Sequence, residues 1–391
     1  MTTSAPTHGR RRAGVLGALA LVTETADEIV LGTVRDVHGA VAKRVHGVTS
    51  FATGGTACVH GGVSSAIYTG IGAGLQATSR GLREVDRRGF GARIEDTARG
   101  RAIVSAVNGL IGDRLAEEQS DLAIELAVRR EGRDVPVERE ALAEAFPAAT
   151  PDVVVFLHGL GETDELWNLR ARETGGSYGQ RLAAETSWTP VYLRANTGLP
   201  VAENGVALAS LLDSLVEQWP VGVRRVALVG HSMGGLIMRA ACAVLSDSES
   251  QWNRLVTDVV TLGTPHLGAP LERGVALGAK ALGRLPEAAP FGRILEYRSV
   301  GILDLRAGLA PDVQNLPHAK YHLVAATLAS SPRHPVSETL GDLLVRYPSA
   351  TGRPRRGTEM FPGADVLHIK GDHFDLLNHP DVYVALKGWL R

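Results

Sequence analysis

The stretch Val226-Ala227-Leu228-Val229-Gly230-His231-Ser232-Met233-Gly234-Gly235 decides the reading of this chain. A short apolar run of the kind that forms a buried strand leads into G-x-S-x-G. The residues that follow, Leu236, Ile237, Ala240, Ala241, Val244 and Leu245, have the three- and four-residue spacing of a helix. Chance is the competing explanation, because 45 of 391 residues are glycine. The flanking strand and helix patterns argue against it. A serine at the tip of so tight a turn has a strained backbone, and glycines two residues to either side omit Cβ atoms that would collide. The turn would set the Ser232 hydroxyl at a helix N-terminus, whose partial positive charge suits an anion formed by attack on an acyl group. Ser232 is therefore the candidate nucleophile.

Similar short apolar runs recur on both sides of this stretch: Val153 to Leu157, Val191 to Leu193, Val259 to Leu262, Tyr321 to Ala325 and Val366 to Ile369. Runs without polar alternation predict strands buried on both faces. Helical patterns alternate with them; Val206, Leu208, Leu211, Leu212, Leu215 and Val216 mark one that Pro220 ends. Leu122 to Val128 and Asp134 to Val137, with a turn at Glu131-Gly132-Arg133, predict an antiparallel hairpin that opens the sheet. The expected class is α/β with a mainly parallel sheet flanked by helices, over 119–391. Residues 1–118 read instead as a glycine-broken helical N-terminal region of unknown role, with one apolar face through Ile29, Val30, Val34, Val37, Val41 and Val45. A helical, apolar insertion at about 270–308 has the pattern of a small cap.

A serine hydroxyl needs a base, and the base an orienting carboxylate. Lys370-Gly371-Asp372-His373-Phe374 follows the last strand, and ligands gather at strand C-termini in parallel sheets, so His373 is the candidate base. The other downstream histidines are His266, His318, His322, His334, His368 and His379; His368 falls inside a strand and His379 near the start of the last helix. For the acid, Glu338, Asp342, Glu359, Asp365 and Asp372 lie between the Tyr321 to Ala325 strand and His373. Asp342, preceded by Gly341 and set among apolar neighbours, is preferred on position, with Asp372 the alternative. An oxyanion hole needs two backbone N–H groups. Met233 supplies one, and the loop His158-Gly159-Leu160-Gly161-Glu162 places Leu160 to supply the other, with His158 as a support of the loop.

Composition narrows the remaining classes. Lys plus Arg is 41 and Asp plus Glu is 42, a net charge of −1 that gives no reason to expect a nucleic-acid partner. Two cysteines, Cys58 and Cys242, make neither a disulfide framework nor a metal pattern, and the scheme asks for no cofactor and no metal. No apolar run reaches the roughly 18 to 20 residues of a membrane span. Arg10-Arg11-Arg12 followed by Ala13 to Val22 has the layout of a signal peptide but lacks a clean cleavage site. A cytoplasmic protein is the expectation, with secretion the alternative. The oligomeric state is not legible.

The chain resembles the α/β-hydrolase fold and, within it, bacterial lipase and esterase-like hydrolases related to the GPI inositol-deacylase type. The matching pieces are Phe156 to Gly161, Gly230 to Gly235, the segment Thr261-Leu262-Gly263-Thr264-Pro265-His266-Leu267-Gly268-Ala269-Pro270, and Gly371 to Leu377. They span about 150–391. The family's acid loop reads G-D-G-L-V-P-x-x-S-A, and Gly341-Asp342-Leu343-Leu344-Val345-Arg346-Tyr347-Pro348-Ser349-Ala350 matches it with Leu343 in place of a glycine. The resemblance therefore favours Asp342, and it implies a Ser-His-Asp hydrolase acting on small-molecule or lipid esters with a hydrophobic acyl part. Asp372 stands where the family often has asparagine and would raise the basicity of His373 if ionised nearby. Three rival readings are carried: an acyltransferase or thioesterase using the same residues, an epoxide or haloalkane hydrolase, which would need aspartate at position 232, and a non-catalytic binding module on the same scaffold.

Overall fold

The computed structural model describes residues 94–244, 251–269, 299–309, 313–354 and 358–391. Most of the expected N-terminal region (1–93) and of the expected cap (270–298) therefore lies outside the described residues. Contacts divide the chain after Val104, and Ser105–Arg391 is the unit considered below. Among the described residues no helix is long and apolar enough to cross a membrane.

Eight strands form one sheet: β1 (Ala127–Arg130), β2 (Arg133–Val135), β3 (Asp152–Leu157), β4 (Trp188–Arg194), β5 (Arg225–His231), β6 (Val256–Leu262), β7 (Lys320–Thr327) and β8 (Asp365–Lys370). Their order is β2-β1-β4-β3-β5-β6-β7-β8. β1 is antiparallel to both neighbours, and every pair from β4 to β8 is parallel. This is the mainly parallel α/β sheet that the unalternated runs predict. Every residue of β3 is buried, as befits a strand covered on both faces.

The helices are α1 (Ala98–Glu117), α2 (Arg139–Ala145), α3 (Tyr178–Glu185), α4 (Val201–Gln218), α5 (Met233–Ala243), α6 (Gln251–Leu255), α7 (Val300–Ala307), α8 (Pro335–Leu340), α9 (Tyr347–Ala350) and α10 (Pro380–Trp389). α4 and α5 pack on each other so closely that a Cβ on Gly205 would lie 2.6 Å from that of Ala240. The side chains of Trp167, Trp188, Trp219 and Trp252 are fully buried in the core.

Three local outcomes refine the sequence reading. The expected hairpin exists, with Glu131 (φ 50°) and Gly132 (φ 74°) as its two-residue turn, the positive-φ pair that suits the twist of two antiparallel strands. Its first strand begins at Ala127 rather than Leu122, because the Leu122 carbonyl and the Ile124 N–H are both taken by the side-chain amide of buried Asn108 (2.8 and 2.9 Å). β4 is longer than its apolar centre suggests and contains Pro190. That residue falls where β1 no longer pairs with β4, an edge-like position that tolerates a missing N–H.

The register gathers the strand ends that matter. Leu157 of β3 pairs with Leu193 of β4 and Gly230 of β5, and His231 of β5 pairs with Leu262 of β6. The loops after β3, β5 and β6 therefore leave the sheet side by side.

Candidate active site

Ser232 sits between β5 and α5 at φ 51°, ψ −121°, a conformation that costs a non-glycine residue roughly 1 to 3 kcal/mol and that the surroundings must hold in place. They do so through its N–H, which donates to the Leu262 carbonyl at 2.8 Å. The flanking glycines are required for the steric reason expected. A Cβ on Gly230 would lie 2.5 Å from the Gly235 nitrogen, and one on Gly234 would lie 2.4 Å from the Leu157 carbonyl oxygen.

His373 follows β8 and is buried. Its Nδ1 lies 2.7 Å from Asp342 Oδ2. Asp342, fully buried in the loop after α8, is saturated on its other oxygen, where Oδ1 accepts the N–H groups of Leu344 (3.0 Å) and Val345 (2.7 Å). The two loops are joined at the backbone as well, since the His373 N–H donates to the Asp342 carbonyl at 3.0 Å. The Nε2 of His373 is buried and has no partner among the described residues. Burial opposes a charge on this ring, but the Asp342 carboxylate, helped by Glu162 and Asp372, outweighs it and raises the imidazole pKa.

Asp372, the alternative acid, has another occupation. Its Oδ1 accepts the N–H groups of Phe374 (2.9 Å) and Asp375 (3.0 Å), so it caps the short turn Phe374–Leu376. Glu338 is exposed, and the remaining carboxylates and histidines are similarly engaged. Asp365 and Asp258 flank His322, Glu359 pairs with Arg353, and His334 and His379 cap α8 and α10. His368 bonds Thr327, and His318 the Asn253 carbonyl.

Ser232 and His373 converge on Gly263, the residue after β6. Its predecessor Leu262 accepts the Ser232 N–H, and a Cβ on Gly263 would lie 2.9 Å from His373 Cε1. Gly263 has φ 60°, so any other residue would be both strained and blocked by the imidazole. The segment after it is laced to the acid loop: Ser349 accepts from the Leu267 N–H (3.1 Å) through its hydroxyl and donates to the Gly268 carbonyl (2.7 Å). The G-T-P-H-x-G segment thus aligns the loop that bears Asp342 with the loop beside Ser232.

The loop after β3 approaches from the other side. A Cβ on Gly159 would lie 2.9 Å from Ser232 Cβ, so glycine lets the loop backbone close on Ser232. The Gly159 N–H donates to Glu162 Oε2 (2.6 Å) and the Gly161 N–H to Thr197 Oγ1 (2.9 Å). Between them, the Leu160 N–H has no protein acceptor among the described residues, and neither has that of Met233 at the start of α5. His158 braces the loop, with Nε2 accepting the Ala195 N–H at 3.2 Å and Nδ1 within 2.9 Å of the Gly159 carbonyl.

Two features had no reading in the sequence. The first is a buried pair beside the Ser232 turn, Glu162 Oε2 to His231 Nδ1 at 3.0 Å. Both residues belong to quoted motifs, but nothing in their spacing signals that they meet. The second is the middle of α1, where a Cβ on Gly109 would lie 2.9 Å from the Gly161 Cα and Asn196 Nδ2 donates to the Gly112 carbonyl at 2.9 Å. Among the described residues no group of three or more His, Cys, Asp or Glu side chains could hold a metal ion.

Comparison with known proteins places this site in context. Residues 206–279 match the model of the family described as PGAP1-like alpha/beta domain. The chain is 31% identical over 131 residues to a triacylglycerol lipase of Burkholderia plantarii, covering 33% of this chain and 34% of that one. It is 32% identical over 124 residues to a triacylglycerol lipase of Pseudarthrobacter phenanthrenivorans, covering 31% of this chain and 35% of that one. The matched part thus spans about a third of the length of these relatives. Among solved structures it is similar to the mature form of the Bacillus licheniformis lipase BlEst2, at 20% identity and a TM-score of 0.43, over 68% of this chain and 97% of that one.

Proposed function

We propose that this chain, an α/β hydrolase of the lipase and esterase-like kind, is a serine hydrolase that cleaves carboxylic esters through an acyl-enzyme on Ser232. The observation that carries the reading is the 2.7 Å contact between buried Asp342 and His373 Nδ1, which leaves Nε2 without a partner among the described residues, on a ring that borders Gly263 beside the strained Ser232 elbow. An imidazole oriented in this way is a base in search of a proton donor.

In this scheme the Ser232 hydroxyl attacks the ester carbonyl carbon and passes its proton to His373 Nε2. Asp342 accepts the Nδ1–H bond and stabilises the imidazolium. The free amides of Leu160 and Met233 donate to the oxyanion of the tetrahedral intermediate, which collapses as His373 protonates the leaving alcohol. Water, deprotonated by the same Nε2, then releases the carboxylic acid and restores Ser232. Resemblance to triacylglycerol lipases supports a lipid or other ester with a hydrophobic acyl chain as substrate. No step calls for a cofactor.

Hydrolysis of p-nitrophenyl esters with acyl chains of two to sixteen carbons tests the reaction and the acyl preference together. Free acid released without added alcohol or thiol is expected. Product that forms only when such an acceptor is supplied would convert the reading to an acyltransferase on the same residues.

A further inference from the structure

Glu162 is a carboxylate in the site that the scheme above does not use. It is 6% exposed, and a buried charge is costly unless it is paired and hydrogen-bonded. Its Oε2 accepts the Gly159 N–H at 2.6 Å and faces His231 Nδ1 at 3.0 Å, while Oε1 is buried without a partner among the described residues. A Cβ on Gly159 would lie 2.8 Å from Oε1 and 2.9 Å from Ser232 Cβ, so the carboxylate and the nucleophile meet over one glycine Cα. The His231 ring continues the chain of contacts. Its centroid lies 4.8 Å from that of the His373 ring, and its Nε2 lies 3.4 Å from the His373 carbonyl oxygen.

Building on the ester-hydrolase reading, we propose that Glu162 is a positioning residue of this site, which anchors the Gly159–Gly161 backbone so that the Leu160 amide faces the substrate and supplies, after Asp342, a second negative charge to the imidazolium formed at His373. Both tasks follow from one placement. A neutral acceptor of the same length could hold the Gly159 N–H, but only an anion acts on His373 through space. Burial alone would raise the Glu162 carboxyl pKa; the facing His231 ring and the Gly159 N–H reverse this and hold it below the usual carboxylate range, so the charge is present at neutral pH. The charged and titratable groups that face His373 are Asp342 from the acid loop, Asp372 from its own loop, Glu162 from the loop after β3 and His231 from the end of β5.

The test compares wild type with Glu162→Gln and Glu162→Asp by the pH dependence of kcat/KM on p-nitrophenyl butyrate. For Glu162→Gln the acidic limb is expected to move to lower pH, because His373 loses a partner that favours its charged form. At the pH plateau kcat falls by less than about 10-fold with little change in KM, because a glutamine of the same length still accepts the Gly159 N–H and only the charge is lost. Glu162→Asp keeps the charge but is one methylene too short to hold Gly159, so kcat falls while the limb stays; a limb that moves here overturns the proposal even if Glu162→Gln does not fold. A fully active Glu162→Gln with an unmoved limb also overturns it. NMR titration of the His373 ring in wild type and Glu162→Gln reads the same contrast without turnover, so a protein that cleaves no ester would sink the hydrolase reading and leave this one decidable. An unshifted ring titration then refutes it.

Discussion

Leu343 has φ 85°, the left-handed region where a leucine Cβ crowds its own backbone and where the related acid loops carry glycine. The chain keeps the loop shape and bears the strain, because the two amides that follow, Leu344 and Val345, must still reach Asp342 Oδ1. Leu343→Gly should therefore stabilise the fold by about 1 kcal/mol, measured by denaturant unfolding, with activity retained. The acid assignment makes a sharper demand. Asp342→Asn should lower kcat by about 10⁴-fold, since the amide cannot hold the same imidazole tautomer, whereas Asp372→Asn should be nearly neutral because asparagine also caps a turn. The raised pKa of His373 fixes the sign of the pH profile. As the proposed base, His373 works only when neutral, so kcat/KM should fall as pH drops, with the midpoint above the ordinary histidine value of about 6.5. Sequence position alone left Asp342 and Asp372 as rivals. What separates them is which backbone amides each one meets, and that depends on two loops folding against each other.

Among the elements, α1 is the one whose relation to the site no pattern in the sequence discloses. It bends at Ile111, whose φ of −138° is not helical, and Gly109, two residues before the bend, and Gly112, just after it, are pressed on the loops after β3 and β4. Asn108 holds the chain at Leu122 and Ile124, Ser299 Oγ donates to the Gly109 carbonyl at 2.9 Å, and the Val300 N–H donates to Asp113 Oδ2 at 3.1 Å. The glycines that read as helix punctuation are points of close approach. Gly109→Val should push on the Gly161 backbone and lower kcat about 10- to 100-fold with a smaller change in KM, as steady-state kinetics would show. The strands were easier to foresee, because a run such as Val153 to Leu157 is apolar on both faces whatever its neighbours do. Their ends were not. Trp188, Thr189 and Pro190 join β4 through partners on β3, and a local window contains no trace of those partners.

Across the whole molecule, the sheet separates chemistry at one end of the strands from an electrostatic clamp at the other. Asp152 opens β3, fully buried, and its carboxylate accepts from Ser187 (2.6 Å), Arg224 (2.7 and 2.9 Å) and Arg225 (3.1 Å). Burial works against this charge, but the two guanidinium groups and the hydroxyl win and lower its pKa to about 2. A depressed folded pKa stabilises the fold above the unfolded value of about 3.9, and that contribution is lost as pH falls toward 2. Asp152→Asn should thus cost about 2 kcal/mol at pH 7, less than a fully buried pair because Arg224 is largely exposed, and the Tm gap to wild type should close between pH 4 and pH 2.

The central claim is that Ser232 carries the acyl group, and a fluorophosphonate probe tests it most directly. Wild type should be labelled once, at Ser232, with loss of p-nitrophenyl ester hydrolysis in proportion to labelling. Ser232→Ala should stay folded, take no label and turn over about 10⁴- to 10⁶-fold more slowly. Near-normal ester hydrolysis by folded Ser232→Ala, or label on another residue, would contradict the account.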